Sequence, residues 1–134
     1  MKIVIDANVW ISALAFGGNP RKVFEIVVKE GHYLLVSEQL FTEIRRKIHE
    51  KFPDFIEDFE NLRTVLALYS VDVKLGVISV SKSRDPNDDY LLEMAEIASA
   101  DLIITGDKDL LVLKKHLATA IVTSKEAIHI IQDK

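Results

Sequence analysis

Short apolar runs alternate along the chain with longer segments in which apolar residues recur every three or four positions. Four runs are rich in aliphatic residues and lie at residues 2–5, 33–36, 102–105 and 120–123. Runs of this length are typical of buried strands, and the wider spacing is typical of amphipathic helices. The alternation predicts an α/β fold, a three-layer α/β/α sandwich with a central, mainly parallel sheet of about five strands.

Glycines and capping residues divide the helical segments from one another. Asn19 is predicted to cap a helix that ends at Gly31, and Ser37 to cap a helix over residues 38–51. Further helices are expected at residues 9–16, 55–68, 88–99, 109–116 and from 124 onward, and a further strand within residues 71–80. No repeat or linker interrupts this pattern, so residues 1–134 are predicted to form a single domain.

The composition excludes several classes of protein. With 134 residues and 49% hydrophobic side chains, the chain can bury one core, which excludes wholesale disorder. Cysteine is absent, which excludes disulfides and thiolate metal sites. No stretch approaches the ~18 apolar residues of a membrane span, so we expect no membrane association and a cytoplasmic location. The net charge of −4 disfavours attraction of nucleic acid to the whole surface but allows a local basic patch.

Carboxylates follow the predicted strands, at the edge where a parallel sheet binds ligands. The acids at this edge are Asp6, Glu43, Asp88 with its neighbour Asp89, and Asp107 with the nearby Asp109. Each acid alone has an ordinary explanation as a turn former, a helix cap or a solvated residue. Together they repel one another, at about 4 kcal/mol for a pair ~4 Å apart, unless a cation neutralises them. An all-oxygen set of ligands suits Mg²⁺ or Mn²⁺, so the sequence predicts a metal site.

A cation held by carboxylates can lower the pKa of a bound water and stabilise a leaving oxygen, which is the chemistry of phosphodiester hydrolysis. Asn8 is a candidate partner of Asp6 or of phosphate, although capping a helix is its more common role. Basic residues flank two of the acids. Glu43 is followed by Arg45, Arg46, Lys47 and Lys51, and Asp88 is preceded by Lys82 and Arg84. They can contact phosphates or form an ordinary charged helix face.

Four motifs contain the acids, and they are IVIDANV at residues 3–9, SEQLFTE at 37–43, DPNDD at 85–89 and TGDKDLL at 105–111. These motifs, in this order, resemble those of PIN-domain proteins, in particular VapC-type endoribonuclease toxins of prokaryotic toxin–antitoxin pairs. The resemblance implies that the catalytic, metal-binding acids are Asp6, Glu43, Asp88 and Asp107, with Asp109 as a supporting metal ligand. Asp89 fits the third position as well, but Asp88 keeps the Asp-Pro-x-Asp pattern. The resemblance also implies Mg²⁺- or Mn²⁺-dependent cleavage of RNA, a homodimer and an inhibitory antitoxin protein.

Two other functions compete with this hypothesis. A haloacid-dehalogenase-like phosphatase also carries an acid after its first strand. It needs a second Asp two residues later, where this chain has Asn8, and a cap insertion that so short a chain lacks. A degenerate, non-catalytic PIN module would bind only a protein partner, for example a helix docked on the apolar stripe of residues 55–68.

Overall fold

The strands of the computed structural model form one sheet. The structure describes residues 1–76 and 89–132. Within these ranges the strands are β1 (Lys2–Ile5), β2 (Tyr33–Val36), β3 (Ser70–Asp72), β4 (Leu102–Ile104), β5 (Lys115–His116) and β6 (Thr119–Val122). The six run in the order β3-β2-β1-β4-β6-β5, and all neighbours are parallel except β5, which is antiparallel to β6. The predicted mainly parallel sheet is confirmed.

Helices flank this sheet. The described helices are α1 (Ala7–Ala15), α2 (Gly18–Glu30), α3 (Glu38–Lys51), α4 (Ile56–Val65), α5 (Asp89–Ala98), α6 (Lys108–Leu111) and α7 (Ser124–Gln132). Helix α5 packs on β1, β2 and β4, whereas α1 packs on α2 and α3, and α7 packs on α2 and β4. None of the helices in the described part of the chain is both long enough and apolar enough to cross a bilayer.

The order of the strands creates a crevice beside β1. From β1 the chain moves to β2 and β3 on one side, and it then returns to β4 on the other side of β1. Because crossovers between parallel strands are right-handed, the connections in the two directions lie on opposite faces of the sheet. The carboxyl ends of β1 and β4 are therefore the switch point at which open α/β sheets bind ligands.

Aromatic side chains fill the core between α1, α2, α3 and α4. Trp10 is 1% exposed. Its ring meets those of Phe24, Phe41 and Phe59 edge to face, with centroids 4.7, 6.1 and 6.0 Å away. Such pairs add about 0.5–1.5 kcal/mol each beyond the area that they bury. This cluster attaches α3 and α4 to the first helix, and α1 begins directly after Asp6.

Two predictions about local structure are wrong for identifiable reasons. Gly17, at φ 76°, rather than Asn19 stands at the N-cap of α2, because a glycine readily adopts the positive φ that a direct turn from α1 requires. The helix expected over residues 109–116 ends at Leu111, because the chain then pairs β5 with β6. The helix expected over residues 55–68 is confirmed at shifted bounds, as α4 flanked by 3₁₀ turns, Pro53–Phe55 and Leu66–Tyr69.

Other expected elements are confirmed at shifted bounds. The strand expected within residues 71–80 begins one residue earlier and covers Ser70–Asp72. Helix α5 begins at Asp89, and the polar loop expected at residues 81–87 lies outside the described residues. The pairing of β5 raises the sheet from about five expected strands to six within the described ranges.

The apolar stripe of residues 55–68 is only partly covered, which gives a test of the packing. Phe59 is completely buried, whereas Leu68 is 90% exposed. We expect Phe59→Ala to lower the free energy of unfolding by about 3–5 kcal/mol, because it leaves a cavity beside Trp10. Leu68→Ala is the matched control and is expected to change it by less than about 0.5 kcal/mol. Urea denaturation measures both, and equal losses would contradict the packing described here.

Candidate metal centre

Asp6 and Thr105 lie side by side where β1 and β4 end. The register pairs Ile5 with Ile104, and the backbone N–H of Asp6 donates to the carbonyl of Ile104 at 2.9 Å. The Thr105 hydroxyl then donates to Asp6 Oδ2 at 2.6 Å. Asp6 is 4% exposed and Thr105 is fully buried. The carboxylate is therefore held inside the protein at the switch point of the sheet.

Asp6 also begins the first helix. Its Oδ1 accepts a hydrogen bond from the backbone N–H of Asn8 at 3.4 Å, so Asp6 rather than Asn8 caps α1. The expected capping role of Asn8 is wrong because the helix begins two residues earlier than expected, at Ala7. The side chain of Asn8 is thus left to interact with other groups of the site.

Burial is the main reason that the pKa of Asp6 is raised above the 3.8 of an exposed aspartate. The hydrogen bond from Thr105, the positive charge of Lys47 and the Asn8 backbone N–H lower this pKa, and the charge of Asp107 raises it. Among the described residues no ion pair reaches the Asp6 carboxylate. Within residues 1–76 and 89–132, the buried negative charge of Asp6 is therefore not fully compensated.

Asp107 is joined to Asp6 through the same hydroxyl. The backbone N–H of Asp107 donates to Thr105 Oγ1 at 3.0 Å, so the hydroxyl accepts from Asp107 while it donates to Asp6. Asp107 caps α6, and its Oδ1 accepts from the backbone N–H of Asp109 at 2.9 Å. Asp109 is half-buried in the first turn of α6, and its backbone orients Asp107. Its role as a metal ligand remains a prediction.

Glu43, on α3, is linked to this pair of acids through a lysine. Its Oε1 lies 2.5 Å from Arg46 Nη2 and 3.7 Å from Lys47 Nζ. Lys47 Nζ also donates to Asn8 Oδ1 at 3.1 Å. Lys47 therefore connects Glu43 on α3 to the first turn of α1, where Asp6 lies.

The two candidates for the third acid are the neighbours Asp88 and Asp89. Asp88 lies outside the described residues, and Asp89 is the half-buried first residue of α5. No group of three His, Cys, Asp or Glu side chains within residues 1–76 and 89–132 is arranged to hold a metal ion. The structure thus shows Asp6 and Asp107 joined through Thr105, with Glu43 linked to them through Lys47 and Asn8.

The donor chemistry of these residues fits a divalent metal ion. Asp6, Glu43, Asp107 and Asn8 offer only oxygen, which Mg²⁺ and Mn²⁺ prefer. The buried charge of Asp6 would be compensated by a cation, because a divalent ion attracts two or more carboxylates at once. The Thr105 hydroxyl holds the Asp6 carboxylate and the Asp107 backbone in place, as outer partners of metal ligands usually do.

The basic residues after Glu43 divide into different roles. Arg45 is directed to α4, where its Nε donates to Glu60 Oε2 at 2.7 Å and holds the pKa of Glu60 below its usual range. Arg46 pairs with Glu43 and Glu50. Lys47 alone of these three contacts a group on α1. Its contact with Glu43 could be predicted from the sequence, because an acid and a base four residues apart on a helix lie on the same face.

Comparison with known proteins identifies the family. A family model described as PIN domain matches residues 2–109. The chain belongs to the PIN domain family. PIN domains are generally nucleases, so the match supports a hydrolase acting on nucleic acid and favours this class over a haloacid-dehalogenase-like phosphatase. No curated protein gives a sequence match.

A solved structure shares the fold of this PIN domain. It is the crystal structure of VapBC2 from Rickettsia felis bound to a DNA fragment from their promoter. One of its chains matches with a TM-score of 0.62 and 10% sequence identity, over 90% of this chain and 97% of that chain. At this identity the similarity concerns the fold, and it confirms the three-layer architecture around a mainly parallel sheet.

We expect the buried charge of Asp6 to lower the free energy of unfolding. Because the folded-state pKa of Asp6 lies above the unfolded value, ionised Asp6 destabilises the metal-free fold. We expect Asp6→Asn to raise the melting temperature at neutral pH. The gain should be constant above the folded pKa of Asp6 and should shrink as the pH falls towards 3.8, where the wild-type carboxyl is protonated in both states.

Thermal melts of both proteins in EDTA, from about pH 4 to about pH 8, measure the increase in melting temperature that Asp6→Asn gives. Asp58→Asn is the control, because Asp58 is exposed in the first turn of α4 and its charge favours the helix. That variant is expected to be neutral or slightly less stable. A loss of stability in Asp6→Asn at neutral pH would contradict the uncompensated charge.

Proposed function

We propose that this PIN domain is an endoribonuclease that hydrolyses RNA phosphodiester bonds with Mg²⁺ or Mn²⁺, and that it is the toxin of a toxin–antitoxin pair. The observation that carries the proposal is the buried carboxylate of Asp6, joined through Thr105 to Asp107 at the switch point of the sheet. A buried carboxylate with a perturbed pKa is typical of functional sites rather than of surface acids.

The residues that would hold the ion are Asp6, Glu43 and Asp107, with Asp109 and, from the sequence, Asp88. The bound ion would supply a water of lowered pKa and positive charge for the leaving oxygen. The Thr105 hydroxyl donates a hydrogen bond to Asp6 Oδ2 and accepts one from the backbone N–H of Asp107, which fixes the positions of both residues. Burial excludes bulk water from Asp6, which strengthens its electrostatic interactions.

Basic side chains beside the acids support a nucleic-acid substrate. Arg46, which is about half exposed, and Lys47 lie against Glu43, on the face of α3 that approaches the site. Their charges can neutralise phosphates next to the position of cleavage. RNA as the substrate follows from the resemblance to VapC-type toxins, and the sequence places Lys82 and Arg84 before Asp88 as further candidates.

The structural neighbour supports an antitoxin partner, since its chains form a VapBC2 assembly. An apolar groove on this chain suits such a partner. It measures about 480 Å³, lies between α1, α2 and α4 away from the acids, and is lined by Leu14, Phe24, Val28, Leu62, Val65 and Leu66, among others. We also propose that the protein is a homodimer and that it is located in the cytoplasm. Light scattering measures the mass of the assembly and so tests the homodimer.

The nuclease proposal predicts the effect of removing the acids. Purified protein should cleave single-stranded RNA in Mg²⁺ or Mn²⁺ and should be inactive in EDTA. Asp6→Asn and Asp107→Asn should each reduce the initial rate by more than about 100-fold, the upper end of what losing an outer-shell partner costs. Thr105→Val should reduce it by about 10- to 100-fold, because Asp6 and Asp107 lose their shared hydroxyl.

Asp58→Asn serves as the matched control, since it removes an exposed carboxylate from α4, a helix that carries none of the proposed metal-binding acids. The cleavage rate of this variant should equal that of the wild type. DNA of the same sequence tests the choice of substrate. Equal cleavage by wild type and Asp6→Asn would show that the activity comes from a contaminant or another site. A folded, inactive wild type would favour the non-catalytic PIN module.

The antitoxin proposal predicts a small reading frame next to the gene for this chain. Its product should bind the protein and inhibit cleavage of RNA. Val65→Glu places a charge in the apolar groove at a side chain that is 67% exposed, and we expect at least a tenfold weaker complex, or about 1.4 kcal/mol.

Val112→Glu is the matched control, since Val112 is exposed but lies outside the groove. Isothermal calorimetry measures both complexes. Equal affinities of the two variants for the neighbouring gene product would exclude the groove as its binding site.

A further inference from the structure

Lys47 makes contacts in the acid cluster that phosphate binding does not explain. Its ammonium group donates to Asn8 Oδ1 at 3.1 Å and lies 3.7 Å from Glu43 Oε1. Its charge also acts on Asp6, whose pKa it lowers. The side chain is 24% exposed, compared with 52% for Arg46, which turns to Glu50 as well. Lys47 is thus directed inward, towards oxygen atoms that would otherwise serve a metal ion.

We propose that Lys47 is an internal counter-cation that competes with the divalent ion for this cluster of oxygen atoms. The inference rests on the proposed function, because it requires the acids to bind a metal. In the metal-free protein Lys47 is a positioning residue, which holds Asn8 and Glu43 towards Asp6 in place of the ion. Metal binding then requires the ammonium group to move away.

The physical basis is the repulsion between two cations that share the same acids. An ammonium group within about 4 Å of a carboxylate lowers the negative potential that a second cation experiences there. The four-carbon side chain of lysine is flexible, so the group can leave without disturbing α3. Displaced from the carboxylates, the same charge becomes available to a phosphate of the substrate.

Removing the charge should therefore change metal affinity and metal-free stability in opposite directions. We expect Lys47→Gln to bind Mn²⁺ about tenfold more tightly than the wild type, which corresponds to about 1.4 kcal/mol. The same variant should melt at a lower temperature in EDTA, because Asp6 and Glu43 lose a compensating charge. Added salt should reduce that difference, since it screens partly exposed charges. A purely structural lysine would lower stability without tightening the binding of the metal.

The experiment is isothermal calorimetry of the full chain with Mn²⁺ alone, in the absence of RNA, together with thermal melts in EDTA. Lys47→Arg keeps the charge, and its affinity should stay within about twofold of the wild-type value. Lys51→Gln removes the same charge one turn further along α3, where no ion pair or hydrogen bond to its side chain is found within the described residues, and it should also stay close to the wild type.

The outcomes separate this inference from the proposed function. Tighter binding of Mn²⁺ by Lys47→Gln alone supports competition. Binding by the wild type that is unchanged or weaker in Lys47→Gln overturns competition and leaves the proposed metal centre intact. Equal tightening in Lys47→Gln and Lys51→Gln overturns it too, because the effect is then one of total charge. No binding to any variant overturns both the metal centre and the competition.

Discussion

The parallel pairing of β1 with β4 places the Asp6 carboxylate beside the Thr105 hydroxyl, and the other features of the site depend on this contact. One hydroxyl satisfies an oxygen of Asp6 and the backbone N–H of Asp107. Without it, a buried carboxylate and a partly buried donor would both lose a partner, at a cost of up to about 1–3 kcal/mol for each unsatisfied group. The geometry of the two strands is therefore coupled to the geometry of the acids.

This arrangement costs stability, as the raised pKa of Asp6 indicates. An ionised carboxylate in the interior is unfavourable unless hydrogen bonds and opposite charges compensate it. Thr105 and Asn8 supply hydrogen bonds, and Lys47 supplies a charge from the adjacent helix. We propose that the acids keep a surplus of negative potential, which would bind a divalent cation. Sites that are unfavourable when empty are a common feature of functional regions, where activity rather than stability decides the residues.

Much of the fold was predictable because strands and helices in this chain have clear periodicity. The runs at Lys2–Ile5 and Tyr33–Val36 match β1 and β2, since each carries three consecutive aliphatic residues and ends at a polar residue, Asp6 or Ser37. The short strand β5 was not predictable, because Lys115 and His116 have no strand pattern and are held by pairing with β6. Local propensity gives way there to tertiary contact.

The site was predictable in part for the same reason. Asp6 follows β1 directly and Asp107 lies three residues after β4, so the parallel sheet fixes which edge they occupy. Glu43 lies within α3, where its direction depends on the rotation of the helix and on the charges around it. The inward direction of Lys47 follows from that rotation, which carries residues four apart to the same face. Arg45, two residues from Glu43, is turned to Glu60 instead.

The central claim is that Asp6 and Asp107 form one metal centre with Glu43. A crystal structure of the protein grown with Mn²⁺, with diffraction data recorded on both sides of the manganese absorption edge, tests it most directly. We predict an anomalous peak in contact with carboxylate oxygens of Asp6 and Asp107. A well-diffracting crystal with manganese peaks only elsewhere on the surface would contradict the claim.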